Sequence, residues 1–207
     1  MTGGDDETLG LRERKKRRTR EALTDAALAL FAERGYERTT VADIAAAADI
    51  APRTFFSYFP NKEAVLFAGT DQRLELIAAA FADLPDGLEP VNAIRRIVDR
   101  IADMADLAGP QRLQRVGALL SDTGLQAMAL QRLFTAERLI AEQLRTTYPD
   151  RYDDAIARTL SGALVGALVA TVLHCAERGY SAERTRTELH RALDLLGPGL
   201  NRPAQRR

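Results

Sequence analysis

Apolar residues return at three- and four-residue intervals along almost the whole chain. No convincing stretch alternates apolar and polar with the period of two that a half-buried strand requires. The pattern predicts an all-α protein. Residues 1–10 are polar, with Gly3, Gly4 and Gly10, and are expected to be a disordered N-terminal tail. A first helix should run from Leu11 to Arg34, with Leu23, Ala27, Leu30 and Phe31 on one face and Gly35 as the stop. A second helix starts near Thr40, where Asp43 three residues on resembles a capping box, turns Val41, Ile44 and Ala45 inward, and ends at Ala48. After a tight turn at Asp49–Ile50, a third helix of about two turns begins at Pro52 and stops before Pro60. Beyond Asn61, breakers at 84–90, 108–110, 121–124, 148–150 and 178–181 divide the chain into helices near 62–84, 90–107, 110–120, 125–147, 153–178 and 182–196. The tail from Pro198 is expected to be loose.

Three short-range helices, the last two joined by a tight turn, describe a helix-turn-helix unit. Composition sharpens this. The chain has seven Phe, five Tyr and no Trp, yet Phe55, Phe56, Tyr58 and Phe59 crowd into five positions. Phe55 and Phe59 are four apart and share the face that can plug the hollow behind the third helix. The opposite face holds Arg53, Thr54 and Ser57, with Phe56 and Tyr58 at its edge. A cation and short hydroxyls suit a helix in a major groove, where Arg bridges guanine and Thr or Ser meets a base edge; they also suit a plain solvated face. Net charge is zero, but residues 11–20 hold seven basic residues against one acidic. Such a run is either a solvated tail or an arm that meets phosphate.

The block ALALFAERGYERTTVADIAAAADIAPRTFFSYFPNKEAVLFA, residues 27–68, resembles the DNA-binding domain of the TetR family of bacterial transcriptional regulators. The resemblance implies a helix-turn-helix DNA-binding domain over 11–60, a helical ligand-binding and dimerisation domain over 61–197 and a loose tail over 198–207. It implies phosphate contacts from Thr39 and Thr40, base and backbone contacts from Arg53, Thr54, Phe56 and Ser57, phosphate clamps at Tyr58 and Lys62, and a basic arm including Arg17, Arg18 and Arg20. Two positions depart from the family pattern. Phe56 stands where the family commonly has Tyr, and without a hydroxyl it is left to pack on a sugar or a thymine methyl. Asp49 stands where the family commonly has Gly, and Asp tolerates the left-handed backbone such a turn needs.

In the larger region, Gly162, Gly166 and Ala170 make one helix narrow enough for close approach, either within a subunit or across a dimer axis. The resemblance implies a dimer in which the last two long helices pair across a two-fold axis, bringing in Leu189 and Leu193. Apolar stripes elsewhere are core or the lining of an effector pocket. Phe81, Met104, Met128 and Phe134 are the candidate lining, because Met adapts to irregular apolar shapes, and Arg138 is the candidate for an anionic ligand group. The RTFFSYFP variant is similar to regulators that answer to acyl-CoA or related lipophilic molecules. The implied function is a repressor that binds a palindromic DNA operator as a homodimer and is released by a small lipophilic effector. The alternative is a DNA-binding dimer whose second domain binds a protein or only dimerises. No cofactor or metal is expected, nor catalysis: His174 and Cys175 are adjacent on a helix and point about 100° apart. The apolar run 163–173 is shorter than the roughly 20 residues of a membrane span, and the lone Cys175 suits a reducing compartment, so the protein is expected in the cytoplasm and not in a membrane.

Overall fold

The computed structural model describes residues 10–68, 70–104 and 110–201, and of residues 70–72, 104, 110–114 and 120 the backbone alone. Every regular element among the described residues is a helix: α1 Leu11–Arg34, α2 Val41–Ala47, α3 Pro52–Phe55, α4 Glu63–Leu66, α5 Thr70–Ala82, α6 Pro90–Met104, α7 Pro110–Ser121, α8 Thr123–Thr147, α9 Asp154–Glu177 and α10 Ala182–Leu200. The described residues form two compact units, residues 10–68 with 117–125, and residues 70–104 and 110–116 with 126–201.

The first unit is built on α1, whose Leu23, Ala27, Leu28, Leu30 and Phe31 are buried. Around them pack Ile44 and Ala45 of α2, Phe55 and Phe59, Val65 and Leu66 of α4, and Ala118 and Leu125. The capping box at α2 is present: Thr40 accepts from the Asp43 backbone N–H, and the Asp43 carboxylate accepts from Thr40 N. That carboxylate also takes the Thr40 hydroxyl at 2.7 Å, which holds it below the usual carboxylate range. At the other end of α2, Ile50 N–H bonds Ala45 O (2.9 Å) and Asp49 N–H bonds Ala46 O (3.1 Å), the paired bonds of a Schellman termination. It requires a left-handed residue, and Asp49 supplies it at φ 54°.

Two elements differ from the sequence expectation here. α3 keeps α-helical form only to Phe55. Beyond it Ser57 N–H reaches Thr54 O and Tyr58 N–H reaches Phe55 O, bonds of i→i+3 type that tighten the segment into a turn. Phe59 N–H still reaches Phe55 O at 3.0 Å, and Pro60 then ends the segment, since it disfavours helical geometry at the residue before it. The expected helix over 62–84 is two, α4 and α5. Ala68 N–H closes back onto Val65 O, and Gly69 follows in the sequence, a residue with little helical preference.

In the second unit α10 lies against both α9 and α6, and α5 against α6. Ile77, Phe81, Ile94, Ile97, Val98, Ile140, Leu144, Leu164, Leu189 and Leu193 form its apolar core. A polar seam joins α6 to α10 in antiparallel register: Arg95 with Asp194, Asp99 with His190 (2.8 Å) and Asp103 with Arg186. Of the tail expected to be loose, residues 198–200 are instead the end of α10, and 202–207 lie outside the described residues, as does the N-terminal tail expected over 1–10 apart from Gly10. Leu200 is buried, Tyr152 donates its hydroxyl to Leu200 O, and Asn201 Oδ1 accepts from Val91 N at 3.3 Å. Gly197 lies against Val91, whose Cγ2 is 3.4 Å from where a Cβ would stand.

The helix α9 is 24 residues and by length and composition alone long enough to cross a membrane, unlike the shorter run read from the sequence. One side of it packs on its own unit, and much of the rest is exposed. Ser161 donates to Glu137 O at 2.6 Å, Arg158 pairs with the Glu137 carboxylate at 3.0 Å, and Leu164 is buried in the second core.

Candidate nucleic-acid interface

The segment from Pro52 to Phe59 carries the candidate interface. Its inner side is two phenyl rings, Phe55 and Phe59, wholly inside the core, with centroids 5.7 Å apart. Burying two Phe side chains contributes about 1.5–3 kcal/mol each, a firm mount for so short an element. Phe56, 57% exposed, stands edge-on against Phe55 at 5.6 Å, so its ring is presented outward from a fixed base. Arg53 and Ser57 are exposed beside it and Thr54 is half-buried. Arg53, Thr54, Phe56 and Ser57 therefore lie together on one turn, as their spacing predicts. Tyr58 is half-buried and packs against the core, so it faces outward less than expected.

Several cations and hydroxyls proposed for phosphate have other work. Thr39 is 1% exposed, and its hydroxyl donates inward to Gly35 O at 2.9 Å. It closes the carbonyl end of α1 and is withdrawn as a phosphate contact. Thr40 is exposed, but its hydroxyl and N–H both serve the capping box. Lys62 is half-buried, with Nζ 3.0 Å from Tyr36 O and 3.2 Å from Thr39 O. Arg20 donates to Tyr58 O at 3.0 Å and covers the Phe59 ring at 4.4 Å. It ties α1 to the far end of the recognition segment, a use that charge alone did not signal. Arg17 and Arg18 are exposed on α1, Arg17 beside Glu21 at 3.6 Å. The basic run is thus helical from Leu11 onward.

In the second unit the expected pocket residues are not brought together. Phe81 is in the core, Met128 is half-buried, Phe134 and Arg138 are exposed on α8, and the Met104 side chain lies outside the described residues. Phe134, 55% exposed, cannot line an interior cavity of this unit; it shares an outer face with Leu130 one turn earlier. The expected dimer residues divide. Gly162, Gly166 and Ala170 are exposed, and a Cβ on either glycine would meet nothing within 4 Å. Leu189 and Leu193 are buried against the core of their own chain and are withdrawn as interface residues. On α10 Leu195 is an exposed large apolar side chain.

A short helix and the turn after it, carrying exposed Arg53, Phe56 and Ser57, braced behind a tight turn and accompanied by a second helical unit, define a helix-turn-helix regulator of transcription. Residues 23–68 match the family of bacterial regulatory proteins, tetR family, and residues 88–201 match the MftR C-terminal domain. The chain belongs to the TetR family of transcriptional regulators. It is 30% identical to the transcriptional repressor KstR of Rhodococcus jostii over 98% of this chain and 92% of that one. It is 36% identical to the transcriptional regulator TcmR of Streptomyces glaucescens over 73% of this chain, a match that spans 63% of the relative's length. Among solved structures it is similar to Thermus thermophilus FadR, a TetR family repressor in complex with lauroyl-CoA, with 31% identity, 91% and 98% of the two chains covered and a TM-score of 0.55.

Proposed function

We propose that this regulator is a repressor that binds a palindromic operator as a homodimer and leaves it when a small lipophilic effector binds the second unit. The observation that carries the DNA half is the outward face of Arg53, Phe56 and Ser57 on a segment locked from behind by Phe55 and Phe59. Arg53 reads a guanine edge, Thr54 and Ser57 meet base or backbone oxygens, Phe56 packs on a sugar or thymine methyl, and Arg17 and Arg18 meet phosphate. The effector half rests on FadR, whose bound lauroyl-CoA makes a long acyl thioester the first ligand to try. Release needs differential affinity: a tenfold loss of DNA binding corresponds to about 1.4 kcal/mol of coupling.

The test is selection of bound duplexes from a random pool by the purified chain, followed by titration of the complex with lauroyl-CoA. An inverted repeat with half-sites about one helical turn apart is expected, with at least tenfold weaker binding at saturating lauroyl-CoA. A pool that converges on no sequence would refute operator binding. Binding that persists unchanged in lauroyl-CoA would refute an acyl-CoA effector.

A further inference from the structure

The turn that leads into α2 is anchored at both ends. Thr39 N–H closes it onto Tyr36 O at 3.2 Å. Tyr36 is buried, edge-on to Phe31 of α1 at 5.3 Å, and the buried Thr39 hydroxyl is spent on Gly35 O. Lys62 Nζ bonds the carbonyls of both residues, at 3.0 and 3.2 Å. Between these fixed ends stand two exposed corner residues, Glu37 and Arg38. Their backbone is already ordered by its neighbours, so a ligand that meets them does not have to order it again.

Arg38 is positioned further. Its Nε donates to Arg34 O at 2.6 Å, at the carbonyl end of α1. The terminal nitrogens of the guanidinium, which hold most of its donors, meet no acceptor among the described residues, and the adjacent Glu37 makes no ion pair with it there. The Asp43 carboxylate at the start of α2 is occupied by Thr40 and, at 3.7 Å, by Arg34. In a helix-turn-helix unit the first helix crosses the sugar-phosphate backbone while the second lies in the groove. That first helix is α2, whose exposed residues are the short Ala42, Ala46 and Ala47. The hydroxyls of Thr39 and Thr40 serve the fold. Arg38 is thus a cation tethered at its neck, with its charge presented outward, beside the element that meets the backbone.

We propose that Arg38 is a phosphate contact of the DNA complex: the exposed corner of the turn before α2 delivers a tethered guanidinium to the backbone that α2 crosses. It sets affinity and register and reads no base. The proposal rests on the DNA-binding reading above. It is tested on the full chain with a duplex selected from the random pool, by salt titration of wild type, Arg38→Gln and Arg38→Lys. Arg38→Gln is expected to bind about tenfold or more weakly, the scale of a lost charge-assisted hydrogen bond. The loss should be equal on the selected duplex and on its single-base-pair variants, and the slope of log K against log salt should fall by about 0.9 per bound copy. Arg38→Lys keeps the charge and gives up the tether, so it should keep the wild-type slope. An unchanged slope in Arg38→Gln would overturn the proposal, because the bond to Arg34 O would then be the residue's whole use. So would a slope lost equally in Arg38→Lys, or discrimination lost at one base pair. Arg38 is exposed, so both variants are expected to fold. Should Arg38→Gln not fold, the guanidinium nitrogen resonances of Arg38 in the wild type decide. They should move on binding the duplex, and resonances that stay in place would overturn the proposal. Wild-type protein that selects no duplex would instead sink the DNA-binding reading.

Discussion

Thr39 shows how a single side chain changes role once its surroundings are known. Its neighbour Thr40 has the same chemistry and the same family expectation, yet one hydroxyl faces inward to Gly35 O and the other caps α2. Sequence places both at the start of a helix; it does not tell which hydroxyl will serve a carbonyl left over from the preceding helix. Thr39→Val keeps the shape and leaves the Gly35 carbonyl without that donor. It should cost about 1–3 kcal/mol of stability by urea unfolding, with the salt dependence of DNA binding unaltered. A smaller salt slope with no loss of stability would restore the phosphate role. Lys62 and Arg20 teach the same lesson for cations: each is placed by an aromatic ring, Tyr36 and Phe59, that lies far from it in sequence.

At the scale of elements, the boundaries of α1, the capping box and the left-handed turn at Asp49 were all legible, because each is decided by residues within a few positions of one another. Three features were not. The last turn of the recognition segment tightens before Pro60, the α4–α5 break falls within a run whose apolar pattern continues, and α10 passes through Pro198. The last depends on distant partners, since Tyr152 and Asn201 fasten the end of α10 to the start of α9 and to Val91. Helix propensity at Gly197 and Pro198 is poor, and tertiary contacts override it. Burial pushes the Tyr152 phenol from 10.0 to about 12. A phenol whose folded pKa is raised contributes its stability fully below pH 10 and loses it as pH rises through about 12. Tyr36 and Tyr148 shift in the same direction, so alkali should weaken the protein generally. Tyr152→Phe should flatten the decline of the urea midpoint across that window, at a cost of about 1–2 kcal/mol near neutrality for the hydrogen bond lost by Leu200 O. A decline identical to wild type would contradict this.

For the whole molecule, one chain carries one recognition segment, and an inverted-repeat operator requires two. The exposed Gly162, Gly166 and Ala170 of α9, an apolar helix with its narrow side uncovered, are where a second copy is proposed to pack. Gly166→Leu tests this, because nothing in the single chain lies within 4 Å of a Cβ there. The variant should keep its unfolding stability per chain and sediment as a monomer. A dimer of unchanged affinity would place the interface elsewhere. An effector pocket was the expectation least legible in the sequence, for Met and Phe stripes spell apolar contact without saying whether a neighbour helix or a ligand supplies it.

The central claim is that the outward face of residues 53–57 reads base sequence in duplex DNA. The measurement that bears on it most directly is the affinity of wild type and Arg53→Ala for the selected duplex and for single-base-pair variants of it. The account predicts that Arg53→Ala loses about 1–3 kcal/mol of discrimination at one position in each half-site and keeps its preferences at the others. Equal weakening on every sequence, with all discrimination intact, would contradict it.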